Sequence, residues 1–191
     1  MVSKDNIITV ASKLFVEKGF EKTTMEDIAN ELGIHKGSLY HHIKSKASIF
    51  YDVLRLSLDE PARRLEKVVN RNIEPEKKFR KLISVHFENI QKSSLEYQVL
   101  LNERRHMLSQ MQEKIIRKKM KSYENTFIKV LGEGVKKKVF RSDLNLRVIV
   151  DGIIGVGNAT YKWFSFDGPL SIDEIARMYT ELFLNGTKIH K

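Results

Sequence analysis

The run Tyr40-His41-His42 invites a metal reading, but adjacent histidines on a helix project in different directions, and no third ligand stands at a useful spacing. Gly155-Val156-Gly157 begins a dinucleotide-like fingerprint, yet Thr160 stands where the last glycine belongs and no strand–helix–strand pattern surrounds it. The absence of cysteine removes disulfides, thiolate metal sites and cysteine nucleophiles together. No nucleophile–base–orienter set accompanies the serines and histidines. The sequence therefore predicts no metal, no cofactor, no catalytic residue and no enzyme. The chemistry that remains is non-covalent and lies in Thr23 to Lys46, TTMEDIANELGIHKGSLYHHIKSK. Thr24 offers its side-chain oxygen to the unpaired amides of a helix start, and Asp27, three residues on, completes a capping-box-like signature with Asp in place of Glu. Gly33 ends that helix where positive φ is needed. A second short helix follows from about Lys36 to His42, with Leu39 and Ile43 as its buried side. Small Ala29 admits the second helix, Gly33 makes the turn and Leu39 plugs the gap, which is the helix-turn-helix arrangement of a DNA-binding module.

The elements that must position this motif are helical too. The 191 residues suffice for a real core, and with only 3 Pro and 10 Gly the composition favours an all-α fold. Charges at Lys4, Asp5, Lys13, Glu17 and Lys18 leave no signal-peptide core, and the most apolar stretch, Val148 to Val156, is interrupted by Asp151 and too short to span a bilayer. A cytoplasmic protein without membrane contact is expected. The net charge of +10 is unevenly spread: residues 1–50 hold seven Lys against six acidic residues, whereas Arg104 to Arg141 holds twelve basic residues against three acidic ones. A DNA-binding reading thus rests on the motif and not on bulk charge.

Along the chain, Ile7, Ile8, Ala11, Leu14 and Phe15 form a helical stripe that Gly19 can stop, giving a three-helix head. Ser45 can cap a long fourth helix with Pro61 inside it, where a kink is expected. Glu74-Pro75 starts a fifth helix. Leu95 to about His106 makes a sixth, and Ser109 opens a seventh whose outer face gathers Lys114, Arg117, Lys118 and Lys121. An eighth helix runs from about Asn145 to Phe164. Gly152, Gly155, Gly157 and Ala159 on it permit close helix approach. Ser171 and Glu174 form a capping box for a ninth helix that Gly186 ends. No strand is expected.

This layout resembles the TetR family of transcriptional regulators, most specifically over residues 7–50. The resemblance implies a homodimer that sets two heads on a palindromic operator in double-stranded DNA, with a small-molecule effector held in the helical body. Its roles carry over residue by residue. Thr24 matches a position that holds a DNA phosphate; His35, Lys36, Ser38 and Tyr40 match positions facing the major groove or its flanking phosphates, with His41 a further candidate. Lys46 matches a phosphate-contacting lysine, with Lys44 close by. Ile43 replaces the aromatic often found there, a change expected to alter packing more than function. Near the other end, Tyr161-Lys162-Trp163-Phe164, Asp167-Gly168-Pro169-Leu170-Ser171 and Glu174-Ile175-Ala176 are similar to a branch of acyl-CoA-responsive repressors of fatty-acid and steroid catabolism.

The resulting expectation is a DNA-binding head, residues 1–47, joined to a ligand-binding and dimerisation domain, residues 48–191, in about nine helices. Recognition helices about 34 Å apart must reach successive major grooves, so an effector that alters head separation releases DNA. The effector residues expected are His86, Phe87, Arg104, Met107, Tyr123, Phe127, Asn158, Tyr161 and Trp163, with a fatty acyl-CoA as the ligand. The alternative is a multidrug-type sensor with an aromatic or cationic ligand. Bland readings stand beside these: His86 as a core histidine, Trp163 as core or pocket wall, the basic helix face as ordinary solvated surface. A dimer seam is expected at Ile153, Val156, Ile175, Tyr179, Leu182 and Phe183.

Overall fold

The computed structural model describes residues 2–91, 95–102, 108–165 and 167–189, and across these the chain is all-α. Nine helices occur among the described residues: α1 Lys4–Lys18, α2 Met25–Glu31, α3 Lys36–His42, α4 Lys46–Val69, α5 Pro75–Gln91, α6 Leu95–Asn102, α7 Gln110–Lys136, α8 Leu146–Trp163 and α9 Ile172–Thr187. Extended pairing among the described residues is confined to one isolated antiparallel bridge, Phe140 with Lys188. No helix among them is long and apolar enough to cross a membrane.

Helix starts fall where a short polar side chain can take up orphan amides. The Ser3 hydroxyl accepts from the Asn6 amide at 3.2 Å. Ser45 and Ser48 exchange amide-to-hydroxyl bonds of 3.1 Å at the start of α4. The Ser109 amide donates to Gln112 at 3.0 Å ahead of α7, and Asn145 accepts from the amides of Arg147 and Val148 ahead of α8. Ser171 and Glu174 complete the expected box at α9. Pro61 lies inside α4, which continues on both sides of it. One expectation needs correction. Gly186 does not end α9, which runs on to Thr187; positive φ among glycines is confined to Gly19 and Gly33.

By packing, the chain divides into two compact units. One comprises residues 1–59 and 93–119, the other residues 60–92 and 120–191. In the first, α1 packs on α2 and α6, and α2 packs on α3. Its core centres on Phe15, Phe20 and Phe50, whose ring centroids lie 4.6 to 5.9 Å apart in tilted and edge-on pairs. In the second, α5 packs on both α8 and α9. The core there includes Phe79, Phe87, Phe127, Phe140, Val150 and Ile153.

Close approach of α8 to α5 depends on Gly157. A Cβ at that position would lie 2.2 Å from His86 Nε2 and 3.2 Å from Ile90 Cδ1. Gly155, two residues earlier, faces open space. Gly157→Ala is therefore expected to destabilise the fold by about 1–3 kcal/mol through overpacking. Gly155→Ala is expected to be neutral or stabilising by up to about 1 kcal/mol through helix propensity. Urea unfolding of the two variants measures this contrast.

Candidate functional site

The N-terminal motif is built from short-range bonds. The Thr24 amide donates to Asp27 Oδ2 at 2.8 Å and the Asp27 amide returns a bond to Thr24 Oγ1 at 3.0 Å, so both halves of the capping box are made. The Thr24 amide and hydroxyl, with the Lys18 ammonium, hold the Asp27 carboxyl down to about 2. At the other end of α2, the Gly33 amide donates to Asn30 O and the Ile34 amide to Ala29 O, both at 3.0 Å, and Gly33 takes φ of 66°. This left-handed turn sends the chain directly into α3.

Helix α3 is seven residues long and buries one side chain, Leu39; Ile43 at its C-terminal cap is buried as well. His35, Lys36, Ser38, Tyr40 and His41 all lie exposed, as do Thr24 and Lys44. The expected recognition surface is thus presented together, on an element whose outer face makes no core contact. Lys36 pairs with Glu26 at 3.3 Å. Lys4, Lys13 and Lys18 pair with Asp52, Glu31 and Asp27. Lys22 and Lys44 are left exposed with no ion pair among the described residues. Lys22 escaped the sequence reading because it lies before the motif proper.

Lys46, expected as a phosphate ligand, turns its ammonium to backbone oxygens. Its ammonium donates to the carbonyls of Phe20 and Thr23 at 2.7 Å and to that of Glu21 at 3.2 Å. An ammonium has three donors, and here backbone oxygens take them all.

In the second unit, four of the expected effector residues come together. His86 has ring centroids of Phe87 and Tyr123 at 5.9 Å and of Phe127 at 6.3 Å, and its Nδ1 lies 2.9 Å from the Tyr123 hydroxyl. His86 is fully buried, and Nε2 makes no hydrogen bond of normal geometry. Burial pushes its pKa down to about 4, offset only in part by the backbone of Ile154. Arg64 binds both Glu88 and the side-chain oxygen of Asn89, whose amide nitrogen is buried without a partner. That polar group left no local sequence signal. Asn158 and Tyr161 are half-buried, whereas Trp163 is 56% exposed. Arg104 and Met107 lie outside the described residues.

The residues expected at the dimer seam divide between the protomer's core and its surface. Ile153 and Ile175 are buried in the protomer's own core. Tyr179 stacks on Phe87 with centroids 5.5 Å apart, and Val156 and Phe183 are half-buried against the same core. Leu182 is 64% exposed and Met178 58%, with Ile189, Val148 and Trp163 also exposed. Apolar residues occupy two sides of α9, and periodicity alone does not say which side the protomer covers.

Residues 7–53 match the family model described as bacterial regulatory proteins, tetR family, and residues 72–187 match the tetracyclin repressor-like C-terminal domain. The chain belongs to the TetR family of bacterial transcriptional regulators. Among its relatives, it is 28% identical over 183 residues to the HTH-type transcriptional repressor KstR2 of Mycolicibacterium smegmatis, covering 96% of this chain and 89% of that one. The ketosteroid transcriptional regulator KstR2 of Mycobacterium tuberculosis superposes with a TM-score of 0.86 at 26% identity, over 100% and 98% of the two chains. AibR, solved in complex with isovaleryl coenzyme A and operator DNA, shares the fold with a TM-score of 0.84 at 22% identity, over 94% and 96%.

The buried imidazole gives the fold a defined acid sensitivity. Its folded pKa lies below the unfolded value, so the unfolded chain binds the extra proton between the two. His86 therefore leaves stability intact above pH 6.5 and reduces it as pH falls from 6.5 towards 4. At roughly 1.4 kcal/mol per unit, the loss is about 3 kcal/mol. Denaturant unfolding at pH 7 and pH 4.5 is expected to show a smaller pH difference in His86→Leu than in the wild type.

Proposed function

We propose that the chain is a repressor that binds a palindromic operator as a homodimer and is released from it by a fatty acyl-CoA. The observation that carries the DNA-binding part is α3: a helix that buries only Leu39 and turns a histidine, a lysine, a serine and a tyrosine outward together. Thr24 stands exposed at the start of α2, beside the exposed α3 side chains that suit base edges in the major groove. Functionally, the head extends through residue 47 and the effector and dimer surfaces belong to residues 48–191. The exposed apolar residues Met178 and Leu182 of α9 and Ile189 just beyond it, with Val148 and Trp163 of α8, support pairing with a second copy.

Similarity to KstR2 and, at the level of the fold, to AibR with its isovaleryl coenzyme A supports the acyl-CoA reading. Within the second unit, the rings of Phe87, Tyr123 and Phe127 around His86 offer the apolar surroundings that an acyl group requires. An effector of this kind acts only through its preference for the DNA-incompetent arrangement.

Selection from a random duplex library is expected to enrich a palindrome, and a long-chain acyl-CoA is expected to release it and raise the melting temperature. Failure to enrich any duplex would remove the DNA-binding reading. Release by free fatty acid or an aromatic cation, but not by acyl-CoA, would replace the effector. Met178→Glu combined with Leu182→Glu is expected to yield a monomer by sedimentation at micromolar concentration; an unchanged dimer would sink the seam.

A further inference from the structure

The Lys46 ammonium sits among backbone oxygens of the segment joining α1 to α2. Besides the carbonyls of Phe20, Glu21 and Thr23, it lies 4.3 Å from the centroid of the Phe20 ring. Three donors on carbonyls and an aromatic face on the remaining side satisfy the cation without any carboxylate. The segment it holds is already shaped at both ends. Gly19 turns out of α1 with φ of 80°, and the buried Thr23 hydroxyl donates to Gly19 O at 2.8 Å and to Leu14 O at 3.2 Å. The next residue is Thr24, the N-terminal cap of α2. At the other end of the tie, α4 is capped by Ser45 and Ser48 without help from Lys46. Phe20 completes the closure, since the ring under the ammonium also packs on Phe50 of α4 at 4.6 Å.

We infer that Lys46 is a positioning residue for DNA binding: its ammonium fastens the first turn of α4 to the α1–α2 segment and so sets where Thr24 and α2 stand, without itself touching a phosphate. This rests on the proposed DNA-binding function, which it deepens. A phosphate contact would require the ammonium to surrender carbonyls that would then lose a charged donor. Lys44, exposed two residues earlier and without an ion pair among the described residues, has no such commitment there. A displacement of the first turn of α4 is thereby carried to the start of α2 through one side chain.

Salt dependence separates the two roles. Each phosphate contact contributes about 0.9 to the slope of log K against log salt. Against the selected duplex, Lys46→Met is expected to weaken binding by roughly tenfold or more, the loss of a set of charged hydrogen bonds, with the slope unchanged. Lys44→Met is expected to lower the slope. Lys46→Arg is expected not to restore affinity, because a planar guanidinium cannot converge on three carbonyls, although it would serve a phosphate well. A reduced slope in Lys46→Met, or full rescue by Arg, would overturn the inference.

Two further measurements keep the test open if Lys46→Met folds poorly. In wild-type protein the Lys46 ammonium resonance is expected to stay in place when the duplex is added, while that of Lys44 moves; movement of Lys46 refutes the assignment. Without DNA, amide exchange at residues 20–24 is expected to be faster in Lys46→Arg than in wild type, and equal exchange refutes the tie. If no duplex is bound at all but exchange rises, the DNA-binding function has failed and the tie has not.

Discussion

A seven-residue helix has no stability of its own, because its nucleation cost is not recovered over so few hydrogen bonds. Helix α3 exists because Leu39 and Ile43 are buried and because the turn at Gly33 delivers the chain in a helical direction. Every other feature of the head serves that constraint. The Thr24–Asp27 box fixes where α2 begins, the Gly33 turn fixes where it ends, and the aromatic trio Phe15, Phe20 and Phe50 joins α1, the segment after it and α4. Anchoring through so little buried surface is what leaves the outward side chains available to a partner.

Local chemistry made this part of the fold legible from sequence. Caps at Thr24, Ser45, Ser109, Asn145 and Ser171 are each written within three or four residues, and they fall at the helix starts found. Choices among partners distant in sequence were not legible. Lys46 meets carbonyls more than twenty residues earlier, so spacing alone could not distinguish a tie from a phosphate contact. Ile153 and Ile175 carry the same apolar pattern as Leu182, yet only Leu182 faces outward. Trp163 is equally ambiguous, being a large apolar side chain at a helix end that proves to be exposed.

Electrostatics in the head is arranged for economy. Most of its lysines are spent on internal pairs with Asp27, Glu26, Glu31 and Asp52, and Lys46 on carbonyls. Internal neutralisation weakens non-specific attraction to DNA, which scales with the phosphates a protein can neutralise. Under the proposed function, recognition then leans on shape and hydrogen bonding at α3, which favours discrimination between sequences over affinity for any duplex.

The contact between Gly157 and the edge of the His86 ring couples two positions on different helices. A lineage that acquires a methyl group at position 157 must first exchange the imidazole for something shorter, and one that keeps the imidazole is confined to glycine. Tyr123, hydrogen-bonded to the far side of that ring, is drawn into the same dependence. The three positions form one unit of inheritance, free to drift only in concert.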